Sequence, residues 1–295
     1  MNMQPKKYAI YTAMVGGYDE IMQPKVIDDR FDYILFSNDI KENRVGVWQI
    51  KPIPYHNEDN TRICRYVKTH PEELLSEYEF SVWMDSNIHI LTSFIYERCL
   101  ELYNQGAQIA SMNHLERNCI YDEAFVVLDN YLEYESILVE WCHQLRKEKY
   151  PKNNGLFETN VVYRKNSKIL MELDDFWWFC IDRNSRRDQL SFNYVLWKLD
   201  VHCDFILPKD TNTRNSSDFK CIYHTQDKAR LIDYRGNIPW LIRYISKVPT
   251  RKDEIKEIYY KIYSLPCPRF GALLWGQLYR VRFLLHYYKS LLIKL

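Results

Sequence analysis

The run Val82-Trp83-Met84-Asp85-Ser86-Asn87 holds residue types suited to a hard cation. Asp85 closes a strand-like stretch, and Asn87, two residues on, offers a second oxygen on the same side of the chain. A divalent ion such as Mg²⁺ or Mn²⁺ takes such ligands and draws others from a diphosphate. An isolated Asp-x-Asn is more often an Asx turn capping the next segment, so the motif carries little weight alone. His224, after Cys221-Ile222-Tyr223, is a candidate third ligand, because neutral imidazole suits Mn²⁺. A lone histidine at a strand end is more often merely hydrogen-bonded.

Four other candidates could do chemistry. Arg62, Arg65 and Lys68 fall at i, i+3 and i+6 of a helical pattern over residues 60–75. Such a row is usually a solvated face, but arginine forks also match phosphate oxygens, so the three could clamp a departing nucleotide. Asp39, in an Asn-Asp turn, could accept hydrogen bonds from a base or ribose. The segment Asn184-Ser185-Arg186-Arg187-Asp188-Gln189 precedes an apolar helix. Ser185 as N-cap with Asp188 at the third helical position would be a capping-box variant, leaving Arg187 and Gln189 unexplained. In the cluster His114, Arg117, Tyr121, Asp122 and Glu123, either Glu123 or Asp122 could serve as a general base, with surface helix charge as the plainer reading.

Elements must position these groups. Residues 8–13, 33–37, 47–53 and 80–84 read as strands, residues 92–148 as mainly helical, and 157–164 as a further strand. A helix opened by Ser185 is predicted over 185–198, with short strands at 205–208 and 221–224. Strands alternating with helices argue for a mainly parallel sheet covered on both faces. Ligands in such sheets bind beyond the carboxyl ends of strands, where Gly16 to Asp19, Asn38-Asp39 and Asp85 to Asn87 all fall. Residues 1–250 are expected to form the catalytic domain and 251–295 a basic helical extension broken at Pro266 and Pro268.

Composition narrows the partners. With 46% apolar and 27% charged residues the chain is that of a globular protein, and a net charge of +1 gives no electrostatic footprint for nucleic acid. Eight cysteines without a C-x-x-C pair read as reduced thiols of a cytosolic protein. The N-terminus lacks a signal-peptide pattern, and no stretch is long and uncharged enough to span a bilayer. Residues 269–295 contain no acid, but carry Arg280, Arg282, Lys289 and Lys294 with Trp275, Tyr279, Tyr287 and Tyr288. That composition predicts a helix lying on an anionic membrane, with about 1 kcal/mol of attraction per cation. A terminal helix packed on the domain or in a dimer is the competing reading.

In chain order, Tyr11-Thr12-Ala13 with Gly17-Tyr18-Asp19, residues 62–68, Trp83-Met84-Asp85-Ser86-Asn87, Arg117 to Ala124, Gly155 to Asn160, and Arg187-Asp188-Gln189-Leu190-Ser191-Phe192 resemble one glycosyltransferase family. It comprises bacterial polysaccharide-synthesis proteins with membrane-anchored plant relatives. The resemblance implies a glycosyltransferase-A fold, a Rossmann-like mixed and mainly parallel sheet flanked by helices, with a C-terminal helical extension. It puts Thr12, Ala13, Val15 and Tyr18 along the nucleotide, Asp39 near its base or ribose, and Arg62, Arg65 and Lys68 at the diphosphate. Asp85 and Asn87 take the place of the metal-binding acid pair, with Asn87 where the pattern has a second acid, and His224 as the late ligand. Asp188 and Gln189 fall at the donor sugar and count as catalytic together with Glu123. His114, Arg117, Glu158, Asn160 and Arg187 are assigned to the sugar or acceptor.

The implied reaction moves a sugar from a nucleotide-diphosphate donor, a UDP-sugar by preference, to a glycan or lipid-linked acceptor in bacterial capsule or lipopolysaccharide synthesis. It would use Mn²⁺ or Mg²⁺ at the cytoplasmic face of the membrane. The alternatives are a non-catalytic nucleotide- or glycan-binding module, and a metal-dependent phosphoester hydrolase, which would want more carboxylates around its metal.

Overall fold

A computed structural model of the chain describes residues 7–222 and residue 224. The strands are β1 (Tyr8–Ala13), β2 (Phe31–Phe36), β3 (Arg44–Val45), β4 (Trp48–Lys51), β5 (Phe80–Met84), β6 (Ile88–Ile90), β7 (Ile109–Asn113), β8 (Phe157–Lys165), β9 (Asp204–Phe205) and β10 (Phe219–Cys221). The helices are α1 (Asn60–Thr69), α2 (Pro71–Leu74), α3 (Phe94–Asn104), α4 (Ile120–Asp129), α5 (Glu135–Lys147), α6 (Lys168–Arg183) and α7 (Gln189–Lys198). They fall into two compact units. One is built from residues 7–118, 154–222 and 224; the other is Cys119–Asn153, holding α4 and α5.

The first unit is organised by one mixed, mainly parallel sheet of eight strands, ordered β3-β4-β2-β1-β5-β8-β7-β9. At its centre, β1 pairs in parallel with both β2 and β5. Its residues are nearly all apolar and buried, as a strand covered on both faces requires. Successive side chains alternate between the faces. Ile10, Val82, Met84, Val161 and Tyr163 join one core with Ile95, Tyr96, Cys99 and Leu102 of α3. The other set includes Tyr11, Trp83 and Arg164, which meet α1 and α6 through Lys68, Trp177 and Asp174. β8 runs antiparallel to β5, with Met84 opposite Val161. Its first residues therefore reach the same sheet edge as the carboxyl ends of β1 and β5.

The second unit has its own apolar centre, with Leu138, Trp141, Cys142 and Leu145 buried. In it the Tyr121 hydroxyl donates to the Tyr150 carbonyl at 3.0 Å, and the Arg146 guanidinium lies over the Tyr121 ring.

Several sequence expectations are corrected. The region expected to be helical contains β7, because the short apolar run after Gly106 slots beside β8 instead of continuing α3. Helix α7 starts at Gln189, not Ser185: the Ser185 hydroxyl accepts from the Arg187 amide and closes a turn before the helix. In place of the strand expected at 221–224, the chain forms β10 at Phe219–Cys221, which pairs antiparallel with β6. The one expected at 47–53 shortens to β4, and the one expected at 205–208 lies earlier, at Asp204–Phe205, as β9. The extension over 251–295, with its proposed membrane helix, lies outside the described residues.

Beneath the sheet, Arg164 and Asp174 form a buried ion pair at 3.1 Å, each side chain 1% exposed. The Arg164 guanidinium also donates to the Tyr11 hydroxyl at 2.9 Å, and that hydroxyl donates to the Lys68 carbonyl at 3.0 Å. Burial pushes the Asp174 carboxyl up to about 7 although Arg164 opposes it. Burial and Asp174 together push Glu72 up to about 8. Both folded-state values exceed the ordinary carboxylate values, so the native state keeps protons that the unfolded chain has released. Stability from this source is complete below about pH 4, declines with rising pH, and is lost above about pH 8. Glu72→Gln should flatten that decline in urea melts run between about pH 5 and pH 8, and an unaltered slope would refute the assignment.

Candidate functional site

Beyond β1 the chain turns at Gly16 and Gly17, whose φ values of 75° and 59° favour glycine. A Cβ on Gly16 would stand 2.4 Å from the Asn60 amide nitrogen. The Gly16 amide donates to Asp39 Oδ2 at 2.5 Å, so Asp39, past the end of β2, is held against this turn. Thr12, Ala13 and Val15 line the approach and are buried, and the Thr12 hydroxyl has no hydrogen-bond partner among the described residues.

Asp85 follows β5, whose Trp83 is in register with Tyr11 of β1, so it emerges beside the glycine turn. Its amide donates to the Asn160 carbonyl at 2.8 Å, and the Ile88 amide donates to the Asp85 carbonyl at 2.9 Å, closing a β-turn over residues 85–88. Asp85 Oδ1 accepts from Trp83 Nε1 at 2.7 Å and lies 3.7 Å from the Lys68 ammonium. Asn87 Nδ2 donates to the Ile222 carbonyl at 2.9 Å, with the Ile222 amide returning a bond to the Asn87 carbonyl. His224 Nδ1 sits 2.8 Å from Asp19 Oδ1, and its ring packs on Tyr18. The Ser86 hydroxyl donates to the other Asp19 oxygen. The Asp85–Asn87 turn and His224, distant in sequence, are thus tied together through Asp19, Ser86 and Ile222.

A second cluster adjoins it. Arg65 Nε is 2.9 Å and Lys68 Nζ 2.5 Å from the Asp188 carboxylate, which also accepts from the Thr159 hydroxyl at 2.7 Å. Lys68 lies over the Trp83 and Trp177 rings, and Trp177 Nε1 donates to the Asp188 carbonyl at 3.0 Å. Burial alone would raise the Asp188 carboxyl, but Arg65 and Lys68 overcome it and hold it well below the usual carboxylate range. Burial lowers Lys68 despite Asp188 and Asp85. Asp188 therefore serves as counter-ion to two buried cations.

Arg62 parts from the other two cations. Its guanidinium donates to the carbonyls of Ile181 and Asn184, capping the end of α6. Helix geometry explains the split. Each three-residue step turns about 300°, so Arg62 and Lys68 point roughly 120° apart, too far to share one ligand.

The remaining candidates are spread around the edge. Glu158, at the start of β8, accepts from Arg214 and from Asn212 Nδ2 at 3.0 Å, and burial raises its carboxyl. Asn160 Nδ2 donates to the Thr213 hydroxyl at 2.8 Å. Gln189, in the first turn of α7, donates to the Phe157 carbonyl at 3.1 Å, and Arg187 is half-buried just before it. His114 is buried after β7, its Nδ1 accepting from the Glu116 and Arg117 amides. Glu123 is buried on α4 of the second unit. Sequence reading assigned no role to Thr159 or to the loop Asn212-Thr213-Arg214; a buried threonine and an ordinary polar loop carry no periodic or spacing signal. Asp19 was legible only as the acid just past a glycine turn.

Among the described residues, no group of three His, Cys, Asp or Glu stands ready to hold a metal alone. Asp85, Asn87 and His224 supply one carboxylate, one amide oxygen and one imidazole. Such a set suits a cation that takes its other ligands from a diphosphate, not a closed protein cage.

The sequence model of the TOD1/MUCI70 glycosyltransferase-like domain matches residues 1–218. The chain belongs to that family. The TOD1/MUCI70 match takes in the glycine turn, Asp39, Asp85, Asn87 and Asp188, while β10 and His224 follow directly after it. Among solved structures, that of the bifunctional glycosyltransferase WbbM in its apo form aligns at 10% identity with a TM-score of 0.41. The alignment covers 70% of this chain and 40% of that one. No curated protein matches. The TOD1/MUCI70 chain carries a glycosyltransferase-like domain on a mixed α/β fold flanked by helices.

Proposed function

We propose that this domain transfers a sugar from a nucleotide-diphosphate donor, a UDP-sugar by preference, to a glycan or lipid-linked acceptor of a bacterial surface polysaccharide. The observation that carries the reading is the meeting of the Gly16-Gly17 turn, the Asp85–Asn87 turn and His224 at the carboxyl edge of β1 and β5. Open α/β sheets bind their ligands at that edge.

In this reading the nucleotide lies along Thr12, Ala13, Val15 and Tyr18, with Asp39 toward its base or ribose. Asp85, Asn87 and His224 would hold Mn²⁺ or Mg²⁺, whose chemistry there is to neutralise charge on the diphosphate. Lys68, 3.7 Å from Asp85, adds a fixed positive charge where the leaving group gains negative charge. Asp188 keeps Lys68 and Arg65 in place. Gln189 and Arg187 at the start of α7, with Glu158 and Asn160, face the sugar. His114 and Arg117 belong to the acceptor side, and Glu123 is the candidate general base for the acceptor hydroxyl. Residues 269–295 would hold the enzyme on the cytoplasmic face of an anionic membrane.

Two experiments test this. UDP-sugars are offered with and without Mn²⁺ while nucleotide release and sugar transfer are followed, and Asp85→Ala should weaken Mn²⁺-supported UDP binding by at least about tenfold. Binding without release would favour a non-catalytic module, and phosphate release without transfer a hydrolase. Failure to bind any nucleotide sugar would end the proposal. Separately, removing residues 269–295 should release the protein from anionic vesicles, and salt should weaken the full chain's attachment, because screening acts within about 8 Å at physiological ionic strength. Vesicle sedimentation unaffected by the deletion would refute the membrane role.

A further inference from the structure

We propose that Asp19 is a positioning residue of this site: it fixes His224 as the Nδ1–H tautomer, leaving the Nε2 lone pair for the divalent cation. The inference rests on the donor-site reading above, and adds a residue and a hydrogen-bonding role to it.

The chemistry of the contact sets the direction of the proton. An ionised carboxylate can only accept, so the 2.8 Å contact between Asp19 Oδ1 and His224 Nδ1 requires the hydrogen on Nδ1. The second Asp19 oxygen accepts from the Ser86 hydroxyl, so both carboxylate oxygens are engaged. Asp19 is nearly enclosed, its side chain 6% exposed, whereas His224 keeps 24% exposure. The imidazole is therefore anchored on its buried side and accessible elsewhere. The Tyr18 ring, with its centroid 4.5 Å from that of the imidazole and tilted by 43°, restrains rotation of the histidine.

Asp19 also links two of the proposed ligand segments. Ser86 stands between Asp85 and Asn87, so one carboxylate fastens both the cation-binding turn and the histidine. The paired bonds between Asn87 and Ile222 form a second strut two residues before His224. A histidine that binds metal through one ring nitrogen almost always donates the other N–H to a carboxylate or carbonyl, and losing that partner lowers metal affinity by about 10–100-fold. Asp19 stands where such a partner must stand, two residues past the Gly16-Gly17 turn.

The test uses the full chain and two readouts. Long-range ¹H–¹⁵N correlation spectra, assigned by comparison with His224→Gln, should show His224 protonated at Nδ1 and bare at Nε2, and Asp19→Asn should lose that preference. Calorimetry with Mn²⁺ and UDP should show affinity falling by about 10–100-fold in Asp19→Asn and by less in Ser86→Ala, which keeps the carboxylate and serves if Asp19→Asn melts early. Asp85→Ala is the control for the underlying reading. If Asp85→Ala loses Mn²⁺–UDP binding while Asp19→Asn and Ser86→Ala match wild type, the role of Asp19 is refuted and the donor site stands. A proton on Nε2 in the wild type refutes it as well. If none of the substitutions alters Mn²⁺–UDP binding, the donor-site reading falls and this inference falls with it.

Discussion

Asp188→Ala is expected to destabilise the first unit by about 3–5 kcal/mol, the usual effect of removing one partner from a buried ion cluster. The carboxylate accepts from Arg65, Lys68 and Thr159, and its side chain is 4% exposed. Removing it leaves an ammonium and a guanidinium facing each other without water. Asp188→Asn should do nearly the same, because an amide keeps the shape but not the charge. The linkage has a definite sign: the native carboxyl is held below its ordinary range, so its contribution is present above about pH 4 and fades as pH falls further. Urea melts at neutral pH and at about pH 3 should therefore show the substitution mattering less in acid. A residue that only touched a sugar would leave the melt untouched at any pH. A wild-type melt in Asp188→Ala would mean that Asp85, already 3.7 Å from Lys68, takes over as counter-ion.

The second large effect is expected at Arg164 and Asp174. Asp174→Ala should cost about 3–5 kcal/mol, since it strands a fully buried guanidinium. The double variant Arg164→Met with Asp174→Leu removes both charges and should recover most of that loss, because two apolar chains of similar volume need no desolvated partner. Recovery will be incomplete: the Tyr11 hydroxyl loses a donor at 2.9 Å, and an unmatched buried polar group costs about 1–3 kcal/mol. Equal loss in the single and double variants would show that the pair holds α6 to β8 by its geometry, not by mutual neutralisation.

The strands, and the carboxyl edge where the candidate site lies, are legible because they rest on simple signals. Tyr8–Ala13 and Phe80–Met84 are uninterrupted apolar runs that end in turn residues, and a strand covered on both faces looks like that. Asp39, Asp85 and the glycine turn follow from the same rule, and they do meet. The errors have specific physical origins. Serine is a good N-cap and points to a helix opened at Ser185, yet Asp188 is pulled inward by Arg65 and Lys68, so α7 starts after it. The row Arg62, Arg65, Lys68 read as one clamp because spacing in sequence says nothing of how far a helix has rotated. β7 leaves no such signal, because the five residues of Ile109–Asn113 are too few to separate strand from helix by periodicity. Asp19, Thr159 and Arg214 matter through partners far along the chain, and such pairings are decided by topology.

The bonds between Asn87 and Ile222 join points 135 residues apart, and those between Asp19 and His224 span 205. Closure over such distances comes late, since chain entropy opposes long-range contacts until the intervening elements are formed. During synthesis, domains fold from the N-terminus as the chain emerges at about 5–20 residues per second. The Asp85 turn would thus wait roughly 7–27 seconds after leaving the ribosome before residue 222 exists to brace it. The central strands can assemble in that interval, but the edge beyond β1 and β5 stays unbraced until β10 and His224 arrive. A nascent chain arrested before residue 219 should accordingly acquire the protease resistance of β1, β2 and β5 without gaining any affinity for a metal–nucleotide complex.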